Sequence, residues 1–144
     1  MRKQVLLGAL LGISIAGGCS DDSSPTAPEA STFPQTIHGT VSGASLFCHG
    51  TDDVYGELDT PCESFLIVPP RRGTLVARLT WPERNTYLLM GSGSSTFVQW
   101  NFCSASGCES RFAVGSRETT LWVGLDTRRS SSSSQAFEVN LSLE

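Results

Sequence analysis

An alternation of apolar and polar residues with a period of two constrains the fold of this chain more than any other feature. In the stretch FEVNLSLE (137–144) every second residue is apolar, and the same period recurs over residues 74–81 and 120–125. Side chains two positions apart point to the same face of a β-strand, so each stretch predicts a strand with one buried face. Helical periodicity is nearly absent beyond residue 16. The pattern therefore predicts an all-β domain.

Turn-forming residues separate these stretches. Residues 69–73, 82–85, 91–95 and 115–117 are rich in Pro, Gly, Asn and Ser, which favour turns. Strands are predicted between them, at residues 37–41, 64–68, 74–81, 86–90, 96–102, 111–114, 120–125 and 137–144. About eight short strands with this punctuation favour an antiparallel β-sandwich of jelly-roll type. The serine run 130–134 is predicted to be a mobile loop between the last two strands.

The N-terminus has a different pattern. Arg2 and Lys3 precede an apolar run over residues 5–16 that only Gly and Ser interrupt, and small residues follow it. Positive charge, a short apolar segment and small residues before a cut site are the parts of a secretory signal peptide. The run is shorter than the ~20 residues of a membrane-spanning helix. Residues 1–18 are therefore predicted to be a signal peptide.

The stretch IAGGC (15–19) resembles the lipobox of bacterial lipoproteins. The resemblance implies that the Cys19 thiol carries a diacylglycerol and becomes the first residue after cleavage. Two or more acyl chains hold a protein firmly to a bilayer, each buried CH₂ contributing ~0.8 kcal/mol. Ser20 implies transfer to the outer membrane, and Asp21–Asp22 resembles an acidic tag for surface display. The expected location is the bacterial envelope; a plain secreted protein is the alternative.

Residues 19–35 are predicted to be a tether between lipid and domain. They are rich in Ser, Pro, Thr and acidic residues, with Phe33 as the single aromatic. Such a segment cannot bury enough apolar surface to offset its conformational entropy, so it is expected to be flexible. The remaining residues, 36–144, have the usual size of one domain.

The charge balance excludes one class of partner. Arg2 and Lys3 belong to the signal peptide, which leaves eight basic residues against fourteen acidic ones, a net charge of about −6. A chain this acidic without a basic cluster is a poor candidate for binding nucleic acid or anionic headgroups. The pairs Arg71–Arg72 and Arg128–Arg129 are interpreted as solvated loop charges.

Four cysteines remain once Cys19 is assigned to lipid: Cys48, Cys62, Cys103 and Cys108. In an exported domain they predict two disulfides, for which three pairings are possible. The local pairing, Cys48 with Cys62 and Cys103 with Cys108, is favoured. Zinc ligation is the alternative, but the spacing fits no common zinc pattern.

The stretch from Pro61 to Leu143 resembles the bacterial pre-peptidase C-terminal domain family. The matching features are an aromatic-led strand before a Pro/Gly turn (65–73), a GTL…L.W strand (73–81), a Val-Gly turn (114–115) and a closing F-x-V-x-L-x-L strand. The resemblance implies a small β-sandwich of an exported protein. The family often has acidic residues after the Trp; here that place reads NTYL (85–88), so no calcium role is implied there.

Candidate residues for catalysis and for metal binding are few. His38 and His49 are the only histidines, and no G-x-S-x-G elbow exists, so an enzyme is not expected. Five acidic residues, Asp52, Asp53, Glu57, Asp59 and Glu63, fall within twelve residues of one another beside Cys48 and Cys62. A disulfide-closed acidic loop could wrap calcium, which takes six to eight oxygens. A solvated acidic loop without metal is the simpler interpretation, and no cofactor is predicted.

The tryptophans give the last candidate. Trp81 and Trp100 are in phase with apolar neighbours and are predicted to lie in the core, whereas Trp122 falls on the face opposite Leu121 and Val123. If its strand is covered on one side only, an exposed Trp122 could contact a sugar ring or a protein partner. Alternatively, Trp122 covers the opposite layer under a loop. The sequence thus predicts a non-catalytic, envelope-anchored binding or scaffolding module for a protein or glycan. Alternatives are a carbohydrate-binding or calcium-dependent adhesion module, and an accessory domain to a separate secreted hydrolase.

Overall fold

The structure is a computed structural model that describes residues 27–144 except 55, 95 and 105. The predicted signal peptide, Cys19 and the first part of the tether lie outside the described residues. All regular structure in this part of the chain is β, which confirms the all-β prediction. The nine strands are β1 (Gln35–Ser42), β2 (Leu46–Asp52), β3 (Gly56–Ile67), β4 (Gly73–Thr80), β5 (Leu88–Ser94), β6 (Phe97–Phe102), β7 (Gly107–Val114), β8 (Thr119–Leu125) and β9 (Ser134–Leu143).

The strands form two sheets. One has four strands in the order β1-β9-β4-β7, and the other closes into a five-stranded barrel in the order β2-β3-β8-β5-β6. Every named pair is antiparallel except the one that closes the barrel, where Gly50 and Thr51 of β2 run parallel to Val98 and Gln99 of β6. The prediction of a wholly antiparallel arrangement is therefore wrong at this one junction.

Two hydrophobic cores follow from this arrangement. The larger lies between the four-stranded sheet and the barrel wall; it includes Leu75, Leu79, Leu121, Val123 and Val139. The smaller fills the barrel; it contains Cys48, Leu58, Cys62, Leu89, Val98, Trp100 and Trp122. Trp81 and Trp100 are buried, as their phase predicts.

The hairpin of β2 and β3 was not predicted. The segment between Cys48 and Cys62 was predicted to be an acidic loop, but it belongs to two strands that pair in register from Leu46 opposite Cys62 to Asp52 opposite Gly56. The inward positions of the paired residues are Cys48, Gly50, Asp52, Leu58, Thr60 and Cys62, of which Leu58 alone is a large aliphatic residue. The buried Trp100 occupies the barrel interior beside them. A Cβ at Gly50 would lie 2.5 Å from Trp100 Nε1 and 2.2 Å from the Val98 carbonyl oxygen. The apolar alternation of β2 is weak because β2 lies so close to β6 and Trp100 that Gly50 has no room for a side chain.

Strand β5 is also longer than predicted. Residues 91–94 were interpreted as part of a turn, but they continue β5 and pair with β6. A Cβ at Gly91 would lie 2.6 Å from Val98 Cγ1. Glycine at this position reflects the crowding of the barrel, not a change of chain direction.

Both disulfides have the favoured local pairing. Cys48–Cys62 joins β2 to β3 with a Cα–Cα distance of 5.9 Å, and Cys103–Cys108 closes the connection between β6 and β7 with a distance of 4.9 Å. The first bridge reinforces a paired hairpin, whereas the second lies where the chain passes from the barrel to the four-stranded sheet.

The chain joins the domain before the predicted end of the tether at residue 35. The Ser31 amide donates to the Val68 carbonyl oxygen at 2.8 Å, and the Val68 amide donates to Ser31 Oγ at 3.0 Å. Phe33 packs against the larger core. In the described part of the chain, no helix has the length and apolar content needed to cross a membrane.

Candidate functional site

A cleft opens at one end of the barrel, between β2, β3 and β8. Its volume is about 180 Å³. Its lining consists of Leu46, Phe47, Cys48, Cys62, Glu63, Ser64 and Trp122. We call this the barrel-mouth cleft. It brings the predicted contact residue Trp122 together with the Cys48–Cys62 disulfide, two features that are distant in sequence.

Of the two positions left open for Trp122, exposed or covered, the structure shows the covered one. Both faces of β8 are covered: Leu121 and Val123 face the larger core, and Trp122 belongs to the barrel core with 9% of its surface exposed. Its Nε1 donates to the Gly93 carbonyl oxygen at 3.4 Å. The indole is held in the wall of the barrel-mouth cleft and does not present an open ring face to solvent.

The apolar surface of the site comes from neighbouring residues that the sequence analysis did not single out. Leu46 is 83% exposed and Phe47 is 67% exposed. The other large hydrophobic side chains that are exposed in the described part of the chain are Val54, Leu66 and Phe97. All five lie on β2, β3, β6 or the turn between β2 and β3. The exposed apolar surface therefore belongs to the barrel sheet.

The four-stranded sheet has a charged outer face instead. Arg78 on β4 donates to Glu109 on β7 at 2.7 Å, and Arg111 on β7 donates to Glu144 at 2.7 Å. Arg111 Nε also lies 3.4 Å from Glu109. The hydrogen bond from Arg78 is the main reason that the pKa of Glu109 lies below its ordinary value. The hydrogen bond to Glu144 likewise raises the pKa of Arg111.

The two histidines lie on different surfaces. His49 Nδ1 is 2.6 Å from Asp59 Oδ1 on the outer wall of the barrel, and its ring meets Phe97 edge-on at 5.7 Å between centroids. His38 Nδ1 is 3.7 Å from Glu138 Oε2, beside a groove of about 340 Å³ that Trp81 and Phe137 also line. Each histidine is thus paired with an exposed carboxylate on its neighbouring strand.

The acidic residues near Cys48 and Cys62 do not form a wrapping loop. Asp52 is buried and accepts a hydrogen bond from the Val54 amide at 2.7 Å. Glu57 and Asp59 point outward from β3, and Glu63 accepts a hydrogen bond from Ser45 Oγ at 2.7 Å. Among the described residues, no group of three or more potential ligands is placed to hold a metal ion. The hairpin separates side chains that a calcium loop would have to bring together.

A buried ion-pair cluster was missed by the sequence analysis. Asp126 has no exposed surface and bonds to Arg129 Nε at 2.7 Å and to Arg128 Nε at 3.2 Å. The Arg129 guanidinium stacks 4.5 Å from the Tyr87 ring centroid and 4.4 Å from that of Phe102. The interpretation as solvated loop charges is therefore wrong for Arg129, which is only partly exposed and packs against two rings. Arg128 is exposed but also bonds to Asp126, because a buried carboxylate requires cationic partners.

The same cluster holds the serine run in place. The Ser131 amide donates to the Asn85 carbonyl oxygen at 3.0 Å, and Ser130 Oγ accepts from the Tyr87 amide at 2.9 Å. Burial favours a raised pKa for Asp126, but hydrogen bonds from Arg128 and Arg129 together outweigh it and hold this pKa below its ordinary value. This cluster is structural: it joins the end of β8 to the loop before β5.

Comparison with known proteins adds no family assignment. No family model matches the sequence, and no curated protein matches it.

Proposed function

We propose that this chain is a lipid-anchored, non-catalytic module of the bacterial envelope that captures a protein partner at the barrel-mouth cleft. The observation that carries the proposal is the exposure of Leu46 and Phe47 at the rim of a cleft that Trp122 lines. Small domains rarely leave neighbouring large apolar side chains in water without a partner to cover them. Burial of one such side chain contributes roughly 1.5–3 kcal/mol to association.

The cleft favours a protein segment over a glycan. Its volume of about 180 Å³ lies below the roughly 300–1,000 Å³ of small-molecule sites, and it suits a single inserted side chain. A sugar ring requires an open aromatic face, and the indole of Trp122 is almost fully covered. Glu63 and Ser64 provide polar groups at the edge of the cleft. Apolar residues at the centre with polar residues around them are typical of protein interfaces.

The membrane anchor is part of the proposal and rests on the sequence of residues 1–19. Lipidation of Cys19 would place the domain at the envelope surface, with outer-membrane location and surface display as further expectations. Replacement of Cys19 by Ala should release the protein from the detergent phase in a partition experiment. Unchanged partition would contradict the anchor and leave the cleft proposal intact.

A jelly-roll sandwich related to the pre-peptidase C-terminal domain is the finer fold proposal. Its support is the larger core, which lies between the four-stranded sheet and one wall of the barrel. The resembling stretch, 61–143, runs from β3 to β9 and contributes to both sheets. An experimental structure with a strand order different from that of this family would contradict the relationship.

The cleft is tested by mild crosslinking of the full chain in its native envelope, followed by purification and identification of the bound protein. The variant Leu46→Ser/Phe47→Ser should lose this protein. The variant Val54→Ser is the matched control, because Val54 is also highly exposed but does not line the cleft. Equal capture by both variants would contradict the proposal. Retention of a glycan in place of a protein would favour the carbohydrate-binding alternative.

A further inference from the structure

Strand β7 forms an open edge of the four-stranded sheet. It pairs with β4 over all eight of its residues, from Gly107 opposite Thr80 to Val114 opposite Gly73. No other named strand of the described chain pairs with its second side. The alternate backbone N–H and C=O groups of such an edge point away from the sheet and can pair with another strand.

Three of the usual protections of an edge strand are missing from β7. Proline and β-bulges interrupt pairing at many sheet edges, and inward-pointing charges have the same effect. The sequence of β7, GCESRFAV, contains no proline, and its register with β4 advances one residue at a time without a bulge. Its inward positions hold Cys108, Ser110 and Phe112, none of which is charged. The backbone of β7 is therefore regular along its whole length.

The two charges of β7 flank Ser110 with opposite sign. Glu109 and Arg111 both project from the outer face of the sheet. In an antiparallel pair of identical strands that is centred on Ser110, Glu109 of one copy lies directly opposite Arg111 of the other. The two-fold axis generates this contact twice. Arg78 already contacts Glu109 from the other side, so the row across the interface alternates in sign.

The same charges discriminate against neighbouring registers. A register centred on residue 109 places two Glu109 carboxylates opposite each other, and one centred on residue 111 places two Arg111 guanidinium groups opposite each other. Like charges in directly opposed positions destabilise a strand pair, whereas opposite charges stabilise it. In all three registers the inner faces of the two sheets lie on the same side of the joined sheet. Of these, the register centred on Ser110 places each charge opposite one of the other sign.

We propose that a second copy of this chain binds along β7, antiparallel and centred on Ser110, and joins the two four-stranded sheets into one continuous sheet. The surface is an isologous one, in which the same strand contributes to both sides of the interface. It lies on the charged sheet and is separate from the barrel-mouth cleft. Self-association through β7 is therefore independent of the proposed partner binding at the cleft.

A charge-swap series of the full chain tests the proposal by sedimentation over a range of concentrations. The wild type should show a monomer–dimer equilibrium. Glu109→Arg and Arg111→Glu each create two like-charge contacts and should weaken association by about tenfold or more. The double variant E109R/R111E restores opposite charges across the axis and should recover the dimer. Glu138→Arg, on the same sheet but on β9, is the control and should associate like the wild type.

A monomer at every concentration would overturn the proposal, as would a double variant no better than the single ones. Amide hydrogen exchange of the wild type gives a second readout that needs no substitution. The β7 amides that do not bond to β4 should exchange more slowly in concentrated than in dilute solution. Protection that develops on β1 instead of β7 would mean that the other sheet edge is the interface, and would equally overturn it.

Discussion

Arg129 donates a hydrogen bond of 2.7 Å from Nε to Oδ2 of Asp126, a carboxylate without exposed surface at the end of β8. The guanidinium group lies within 4.5 Å of the ring centroids of both Tyr87 and Phe102. Arg129 thus neutralises a buried charge together with Arg128 and packs against two aromatic rings. This contact fixes the loop after β8 against the residues that precede β5.

Replacement of Arg129 by Ala should therefore destabilise the fold. Asp126 keeps its bond to Arg128 but loses its shorter one, and a hydrogen bond to a charged group contributes about 1.5–3 kcal/mol. Loss of the cation–π contacts adds to this effect. Urea unfolding measures the change in the free energy of unfolding. Arg84→Ala, at an exposed arginine between β4 and β5, is the control and should change stability by less than about 0.5 kcal/mol.

The pH dependence of stability should report on Asp126. Its pKa in the folded protein lies below the ordinary value of 3.8, so the unfolded chain binds a proton at higher pH than the folded one. The stabilisation is therefore present above the unfolded pKa and is lost as the pH falls through the folded pKa. The free energy of unfolding should decrease below about pH 4 in the wild type. In Asp126→Asn the slope in this window should be smaller; an unchanged slope would assign the acid sensitivity to other carboxylates, such as Glu109.

Removal of the two disulfides should have unequal effects. The Cys48–Cys62 bridge spans 14 residues and Cys103–Cys108 spans 5. Closure of a longer loop removes more entropy from the unfolded chain, which gives about 3 kcal/mol for the first bridge and about 2 kcal/mol for the second. Denaturant unfolding of the two paired Cys→Ala variants measures these values. A reversed order would indicate that native contacts of the β6–β7 connection, and not loop closure, dominate.

The barrel interior should reject a methyl group at Gly50. A Cβ there meets the Val98 carbonyl oxygen and the indole of Trp100 at distances that real contacts do not reach. Gly50→Ala should therefore displace β6 or Trp100 and cost about 1–3 kcal/mol. Gly43→Ala is the matched control, because the nearest atom to its Cβ would be the Ser133 carbonyl oxygen at 4.0 Å. Thermal unfolding and the fluorescence of the tryptophans distinguish the two variants.

The sequence by itself determined the strands whose alternation is strong. Residues 137–144 and 74–81 were placed correctly because large apolar side chains mark one face and polar ones the other. The same phase placed Trp81 and Trp100 in the core. The short separation within each cysteine pair favoured the local pairing that both disulfides have.

Only the tertiary structure decided which surface covers each strand face. The alternation in β8 separates Trp122 from Leu121, but it does not reveal that β8 is covered on both sides. The sequence therefore left an exposed and a covered Trp122 open, and the residue lies in the barrel core. The parallel closure of β2 onto β6 joins residues about fifty positions apart, and no local pattern encodes it. Asp126 and Arg129 have the composition of a solvated turn, and the environment of Arg129 depends on Tyr87 before β5 and Phe102 at the end of β6. Periodicity is a property of one strand, whereas the burial of a side chain depends on which residues of other strands pack against it.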